Sequence, residues 1–356
     1  MRINIILPFT NATGGIRVAL EYANRLGDKG HDVVCYTPML AYEFNNSGLI
    51  GKLKRIKASI ANTVIRGKSI KWFPLEVKLK LVPFISNKYI RDADITIATA
   101  WPTAFDVYKL SDIKGKKFYF IQGYEIWSGP VEKVNDSYRL PMQHITISKW
   151  LKDLLQEKFA SPKVDIIYSG TDIKYDISKK VYNKNKRILI MYHELKSKGF
   201  EDGIKAIKVA KEKYPDLEVT IFGQRKVEID LENVVFFEKP NRNELEKIYS
   251  EADIFVFPSR EEGWGLTVIE AMSCGCAVVG TNVGCIQDIG IQNQTALISA
   301  PQDINSLANN ICRLVENESI LVNISNNGYQ KASKLTWENA TSQFEIIMRD
   351  SIRIQG

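Results

Sequence analysis

No stretch of the 356-residue sequence approaches the roughly 18 consecutive apolar residues that a membrane span requires. The opening from Met1 to Pro8 carries an apolar run too short for a secretory leader, so the sequence predicts a protein that stays in the cytosol. Cysteine is sparse. Cys35, Cys274, Cys276, Cys285 and Cys312 are odd in number and show neither paired metal-ligand spacing nor a CxxC pair, and they read as reduced core thiols. A dinucleotide fingerprint is missing too: Asn11-Ala12-Thr13-Gly14-Gly15 is not GxGxxG, and the second apolar segment ends in Thr37-Pro38 where an acid would be needed. That argues against a dinucleotide oxidoreductase. What is present is an ordinary globular composition, 45% hydrophobic and 25% charged, which excludes a disordered or fibrous chain. The length exceeds what one core usually organises and predicts two domains with a cleft available between them.

The net charge of +7 is uneven. Residues 51–90 hold eight Lys and two Arg against one acid, Glu76, so that segment carries +9 and the remainder −2. One local basic surface is implied rather than a nucleic-acid coat, and no nucleic-acid partner is expected. Ile56, Ile60, Val64, Trp72, Phe73 and Leu75 are interleaved with the charges. Such a segment suits an anionic membrane face, with the protein held peripherally at the inner side of the cell membrane. The plainer reading is a solvated helix pair with its lysines outward, and both stay open.

Hydrophobic periodicity orders the rest. Residues 2–7 suit a buried strand, Ala19, Tyr22, Ala23 and Leu26 recur at helical spacing, and Asp32 to Thr37 reads as a second strand, which together make a βαβ opening. Strands are predicted at 95–98, 117–121 and 144–147, with a helix over 149–159, and the first domain ends near residue 165. A second start follows a polar linker, Ser169 to Lys186: a strand at 187–192, a Lys/Gly loop, a helix over 200–214, then strands at 217–222, 234–237, 254–257 and 277–279. A helix over 243–252 carries Leu245, Ile248, Tyr249 and Ala252 on one stripe. Two doubly wound α/β units are implied, 1–165 and 166–336. In such sheets ligands bind outside the carboxyl ends of the strands.

The segment richest in chemistry runs from Phe257 to Gly275. Gly263 and Gly265 let backbone approach a ligand, and the helix that follows offers unpaired N–H groups and a positive dipole end for a diphosphate. Glu262 and Glu270 bracket the loop as acceptors for sugar and ribose hydroxyls. The structural alternative is a capping box in which Glu270 reaches back to the Thr267 N–H.

This segment resembles the ExxxxxxxE signature of retaining family 4 glycosyltransferases with the GT-B fold, Glu262 and Glu270 being the two acids. The likeness extends to Gly14-Gly15-Ile16-Arg17, Gly30-His31-Asp32-Val33, the Ser148 to Asp153 stretch, Ser169-Gly170-Thr171-Asp172, Lys198-Gly199 and the Ala252 to Ser259 stretch. It implies two Rossmann-like domains facing each other across a cleft, with a C-terminal helix, 337–356, returning to the first. It also implies transfer of a hexose or deoxyhexose from a nucleotide diphosphate sugar to a glycan or lipid-linked acceptor in cell-surface polysaccharide synthesis. Glu270 then meets the donor ribose, Glu262 with Gly263, Trp264, Gly265, Leu266 and Thr267 meets sugar and diphosphate, and Lys198 neutralises the leaving group. Gly14 and Gly15 join the donor set, and Glu262 and Lys198 are the expected catalytic residues. No metal or other cofactor is expected.

The sequence departs from the family in three places. His193 stands where the family has an Arg five residues before the Lys of the Lys-Gly pair; it joins the donor set as a diphosphate contact when protonated, the alternative being a structural histidine at a strand end. Gln122, in Phe120-Ile121-Gln122-Gly123-Tyr124-Glu125, is nearest to where such enzymes carry a His, and this loop resembles a rhamnan-type polysaccharide subset. The 51–90 insertion has no detailed match in the family and is assigned to acceptor or membrane binding. A nucleotide-sugar epimerase of the same architecture is the nearest rival, and a non-catalytic membrane-associated assembly subunit is a further one. Asp92-Ala93-Asp94 has the spacing of a metal motif but precedes its strand, so it reads as a surface turn.

Overall fold

A computed structural model describes residues 1–39, 42, 70, 72–161, 163–173 and 175–353. Half of the basic insertion, 51–69 and 71, with Lys52, Lys54, Arg55, Lys57, Ile56, Ile60 and Val64, lies outside the described residues. Two units emerge, Met1–Tyr168 with Ala340–Gly356, and Ser169–Asn339.

In the first unit β1 (Arg2–Ile6), β2 (Asp32–Pro38), β3 (Lys78–Val82), β4 (Ile95–Ala98), β5 (Lys116–Ile121), β6 (Gln143–Thr146) and β7 (Val164–Ile166) form a sheet ordered β3-β2-β1-β4-β5-β6-β7, parallel at every pairing. Ile3, Ile5, Ile95, Ile97 and Phe118 are all but inaccessible, as expected of strands covered on both faces. The described end of the basic segment is not a helix pair. Lys78-Leu79-Lys80-Leu81-Val82 pairs with β2 as an edge strand, burying Leu79 and Val82 and keeping Lys78 and Lys80 in solvent. Asp92 pairs with Lys114 at 2.8 Å and Asp94 accepts the Arg2 N–H at 2.6 Å, so both acids of that turn hold the chain together. From the C-terminal helix (Trp337–Arg353), Phe344 packs edge-on against Tyr22 at 5.0 Å and near Phe120 at 5.7 Å, while Glu345 meets His31 Nε2 at 3.2 Å. Burying Phe344 alone stabilises this attachment by about 1.5–3 kcal/mol.

The second unit repeats the pattern. β8 (Arg187–Tyr192), β9 (Glu218–Gly223), β10 (Val234–Glu238), β11 (Ile254–Phe257), β12 (Ala277–Thr281) and β13 (Ala296–Ser299) run in the order β10-β9-β8-β11-β12-β13, again all parallel. Helices Phe200–Lys213, Ile304–Glu316 and Glu318–Ala332 supply Ile204, Ile207, Leu307, Ile311, Leu321 and Ile324 to the core. The stretch expected as a linker is packed on this unit: Tyr329 donates to the Tyr175 carbonyl and Tyr182 to Ser325 Oγ. Among the described residues no helix is long and apolar enough to cross a membrane.

Candidate functional site

Strand order in the second unit reverses direction between β8 and β11, and at such a reversal the loops leaving neighbouring strands diverge to open a ligand crevice. The loop after β8 carries His193 to Gly199 and the loop after β11 carries Pro258 to Gly265. They meet backbone to backbone. Gly199 has φ +63°, and a Cβ there would stand 1.9 Å from the Pro258 carbonyl oxygen, so only glycine fits. The Ser197 carbonyl accepts the Arg260 N–H at 2.7 Å and the Glu261 N–H at 3.2 Å. One residue further along each loop, Lys198 Nζ donates to Glu262 Oε2 at 2.6 Å, with 20% and 13% of the two side chains exposed. Residues 64 apart in sequence thus form a charge pair largely withdrawn from water.

The Glu262 loop is held from behind. The Trp264 indole is 3% exposed and donates to the Ser169 carbonyl at 3.2 Å, so what this residue can offer a ligand is backbone. The Trp264 carbonyl takes the Cys285 N–H, and Gly284, at φ +57°, lies so close that a Cβ would come within 2.5 Å of that carbonyl oxygen. Gly265, at φ +97°, is the N-cap of helix Leu266–Ser273, and among the described residues no side chain caps that end. The half-buried Leu266 and Thr267 therefore present the first N–H groups of a helix to the crevice, where they and the dipole favour an anion.

Because the helix begins at Leu266, Thr267 lies inside the first turn and the capping-box alternative for Glu270 falls. Glu270 Oε2 instead accepts the hydroxyl of Tyr249 at 3.0 Å. Tyr249 is fully buried, its ring edge-on to Phe222 and Phe255. In the sequence it sat on an apolar stripe and read as core; only the fold reveals that its hydroxyl orients an acid.

His193 is half-buried at the end of β8, and its Nδ1 accepts the Leu195 N–H at 3.0 Å. Burial, then the charge of Lys198, push its pKa below the usual histidine range, with Glu262 and Glu194 pulling weakly the other way. The ring is neutral near pH 7 with its proton on Nε2, a neutral donor where a cation was considered. Gly14 and Gly15 open the first helix of the other unit, Gly14–Asp28, with Thr13 as N-cap and the Gly15 carbonyl taking Gln122 Nε2 at 3.0 Å.

Residues 172–331 match the family model described as glycosyl transferases group 1. That stretch is therefore similar to the group 1 glycosyl transferases. The matched stretch includes His193, Lys198, Glu262 to Thr267 and Glu270, and leaves Gly14 and Gly15 outside. The chain is 28% identical over 205 residues to an uncharacterized glycosyltransferase of Methanocaldococcus jannaschii, covering 54% of this chain and 55% of that one. It is 26% identical over 186 residues to the capsular polysaccharide biosynthesis glycosyltransferase CapM of Staphylococcus aureus, covering 48% and 49%. The chain thus spans about half the length of the curated relatives it matches. In fold it is similar to the Anabaena protein HepE, solved in complex with UDP and glucose, at TM-score 0.70 and 14% identity over 98% of this chain and 100% of that one. The fold is GT-B, two parallel α/β units.

Proposed function

We propose that the chain is a glycosyltransferase that takes a nucleotide diphosphate sugar at the β8/β11 reversal. It moves a hexose or deoxyhexose, with retention of configuration as in family 4, to a glycan or lipid-linked acceptor in cell-surface polysaccharide synthesis. The observation that carries the reading is the Lys198–Glu262 pair beside an uncapped helix end. A diphosphate arriving there competes with Glu262 for Lys198. The ammonium turns to the phosphates, the Leu266 and Thr267 N–H groups take phosphoryl oxygens, and the released carboxylate accepts a sugar hydroxyl. Glu270, held by Tyr249, accepts from the ribose, and His193 Nε2–H is a neutral donor to the same phosphates. Such groups are already in place before charge develops on the leaving diphosphate, which is where electrostatic stabilisation is worth most. Lys198 and the helix end fill the part a divalent cation would otherwise play, so activity in this reading persists in EDTA.

The relative named for capsular polysaccharide biosynthesis and the fold neighbour carrying UDP and glucose support this choice of donor and acceptor class. The basic 51–90 segment is assigned in the same reading to an anionic membrane face at the cytoplasmic side; half of it lies outside the described residues.

A panel of nucleotides and their sugar conjugates tests the reading by thermal shift, since a ligand at a hundred times its Kd stabilises by about 2.7 kcal/mol. The expected result is a rise in Tm with one nucleoside diphosphate and its sugar conjugate, followed by slow hydrolysis or acceptor-dependent transfer. Recovery of an epimer of the nucleotide sugar, or no response to any member, contradicts it.

A further inference from the structure

The contact between Lys198 and Glu262 depends on two loops holding register, and a second side-chain pair ties the β11 loop to the helix beyond β8. Arg260 Nε donates to Asp202 Oδ2 at 2.8 Å and a terminal guanidinium nitrogen donates to Asp202 Oδ1 at 2.9 Å. Asp202 is buried in the first turn of helix Phe200–Lys213, where the helix dipole favours its charge. The hydrogen bonds to Asp202 in turn raise the Arg260 pKa above its already high value, so the guanidinium stays charged. A forked pair of this kind fixes angle as well as distance. The Arg260 backbone N–H is simultaneously bonded to Ser197, immediately before Lys198, and Glu261, immediately before Glu262, shares that carbonyl. One residue therefore ties the β11 loop to the first turn of the helix beyond β8 by its side chain, and to the β8 loop itself by its backbone.

We propose that Arg260 and Asp202 are a positioning latch: they hold the Lys198 and Glu262 loops in the register that keeps the Lys198 ammonium on the diphosphate as the sugar departs. The inference rests on the glycosyl-transfer reading above and adds residues to the same site. Arg260 has Nε and a terminal nitrogen committed to Asp202, so its part is to place Lys198, not to bind the donor. When Lys198 turns from Glu262 to the ligand, the direct pair is lost and the latch is what still fixes the two loops. A displacement of an ångström at such a group is worth about a hundredfold in rate.

The test compares Arg260→Ala, Arg260→Lys, Lys198→Ala and the Arg260→Ala/Lys198→Ala double variant in the full chain, with donor KM, kcat and Tm measured for each. The expected result is a kcat loss of about 10- to 100-fold in Arg260→Ala with donor KM moved less than about threefold. Arg260→Lys, which keeps charge but loses the fork, falls between. The double variant is about as slow as Lys198→Ala alone, because a residue acting through Lys198 has nothing left to position. Losses that multiply, or an unchanged kcat, overturn the latch, since a purely structural role lowers Tm without coupling to Lys198. Amide hydrogen exchange gives a reading independent of turnover: Arg260→Lys, and Asp202→Asn if the alanine variant does not fold, should speed exchange at the Arg260 and Glu261 amides. Protection unchanged there sinks the latch even in an active enzyme. Wild type inert to every nucleotide sugar, with those amides responding, sinks the transferase reading and leaves the latch standing.

Discussion

The two units reverse strand order in the same way, the first between β1 and β4 and the second between β8 and β11, yet they equip the reversal differently. In the first unit, Thr99 Oγ1 at the end of β4 donates to the Ile6 carbonyl at 2.8 Å. The acid nearby, Glu125, accepts the Trp101 N–H at 3.1 Å and has no cation beside it among the described residues. Burial therefore pushes its carboxyl up to about 7. In the second unit the loops touch through Gly199, are bonded through Ser197, and carry an acid already matched by a lysine. Topology supplies the crevice twice; the proposed anion site lies where loop chemistry adds a cation and an uncapped helix end.

The largest expected contrast is between glycines. Gly199→Ala should cost about 3 kcal/mol or more in denaturant unfolding, because its Cβ meets the Pro258 carbonyl at positive φ. Gly14→Ala, with nothing within 4 Å, should stay within about 0.5 kcal/mol of wild type. If Gly14→Ala also leaves donor turnover unchanged, Gly14 leaves the donor set. Next in size, Lys198→Ala should raise the activation barrier by about 1.5–3 kcal/mol in kcat/KM, the scale of a hydrogen bond to a charged group. Unchanged turnover would remove the lysine from its role and erase the difference between the units.

Glu125 sharpens the comparison from the other side. Its pKa is raised in the fold, so it binds a proton between pH 4.5 and about 7 that the unfolded chain has released. Its contribution to stability thus falls as pH rises through that window. Relative to wild type, Glu125→Gln should gain about 1–2 kcal/mol between pH 4.5 and 7.5, a figure reduced for partial solvent screening. A flat difference across that range would mean that the acid is as well solvated as an ordinary surface carboxylate. The smallest effect belongs to Tyr249→Phe, which removes the donor to Glu270 Oε2 and should weaken donor binding by about 1 kcal/mol with Tm nearly unchanged. Equal affinity for nucleotide in the variant would separate Glu270 from the ribose.

Much of this was legible in the residues. Strands 95–98, 187–192 and 254–257 and helix 149–159 are where apolar runs and helical spacing put them, because buried parallel strands and amphipathic helices leave strong patterns. Lys78–Val82 was hidden, since its alternation of lysine with leucine lies within a charged segment and an edge strand keeps one side in water. Helices Ile304–Glu316 and Glu318–Ala332 and strand β13 likewise have no counterpart among the expected elements. Within the site, each of Lys198, Glu262 and Glu270 was recognisable, but not what each touches. Contacts between Lys198 and Glu262, Arg260 and Asp202, or Tyr249 and Glu270 join separate loops and helices, and no local period records them.

A crystal structure with the nucleoside diphosphate that stabilises the protein most in the thermal-shift panel tests the central claim directly. The account predicts phosphoryl oxygens within hydrogen-bond distance of the Leu266 and Thr267 amides, with Lys198 Nζ swung from Glu262 onto the phosphates. A diphosphate seated elsewhere, with Lys198 still bonded to Glu262, would contradict it.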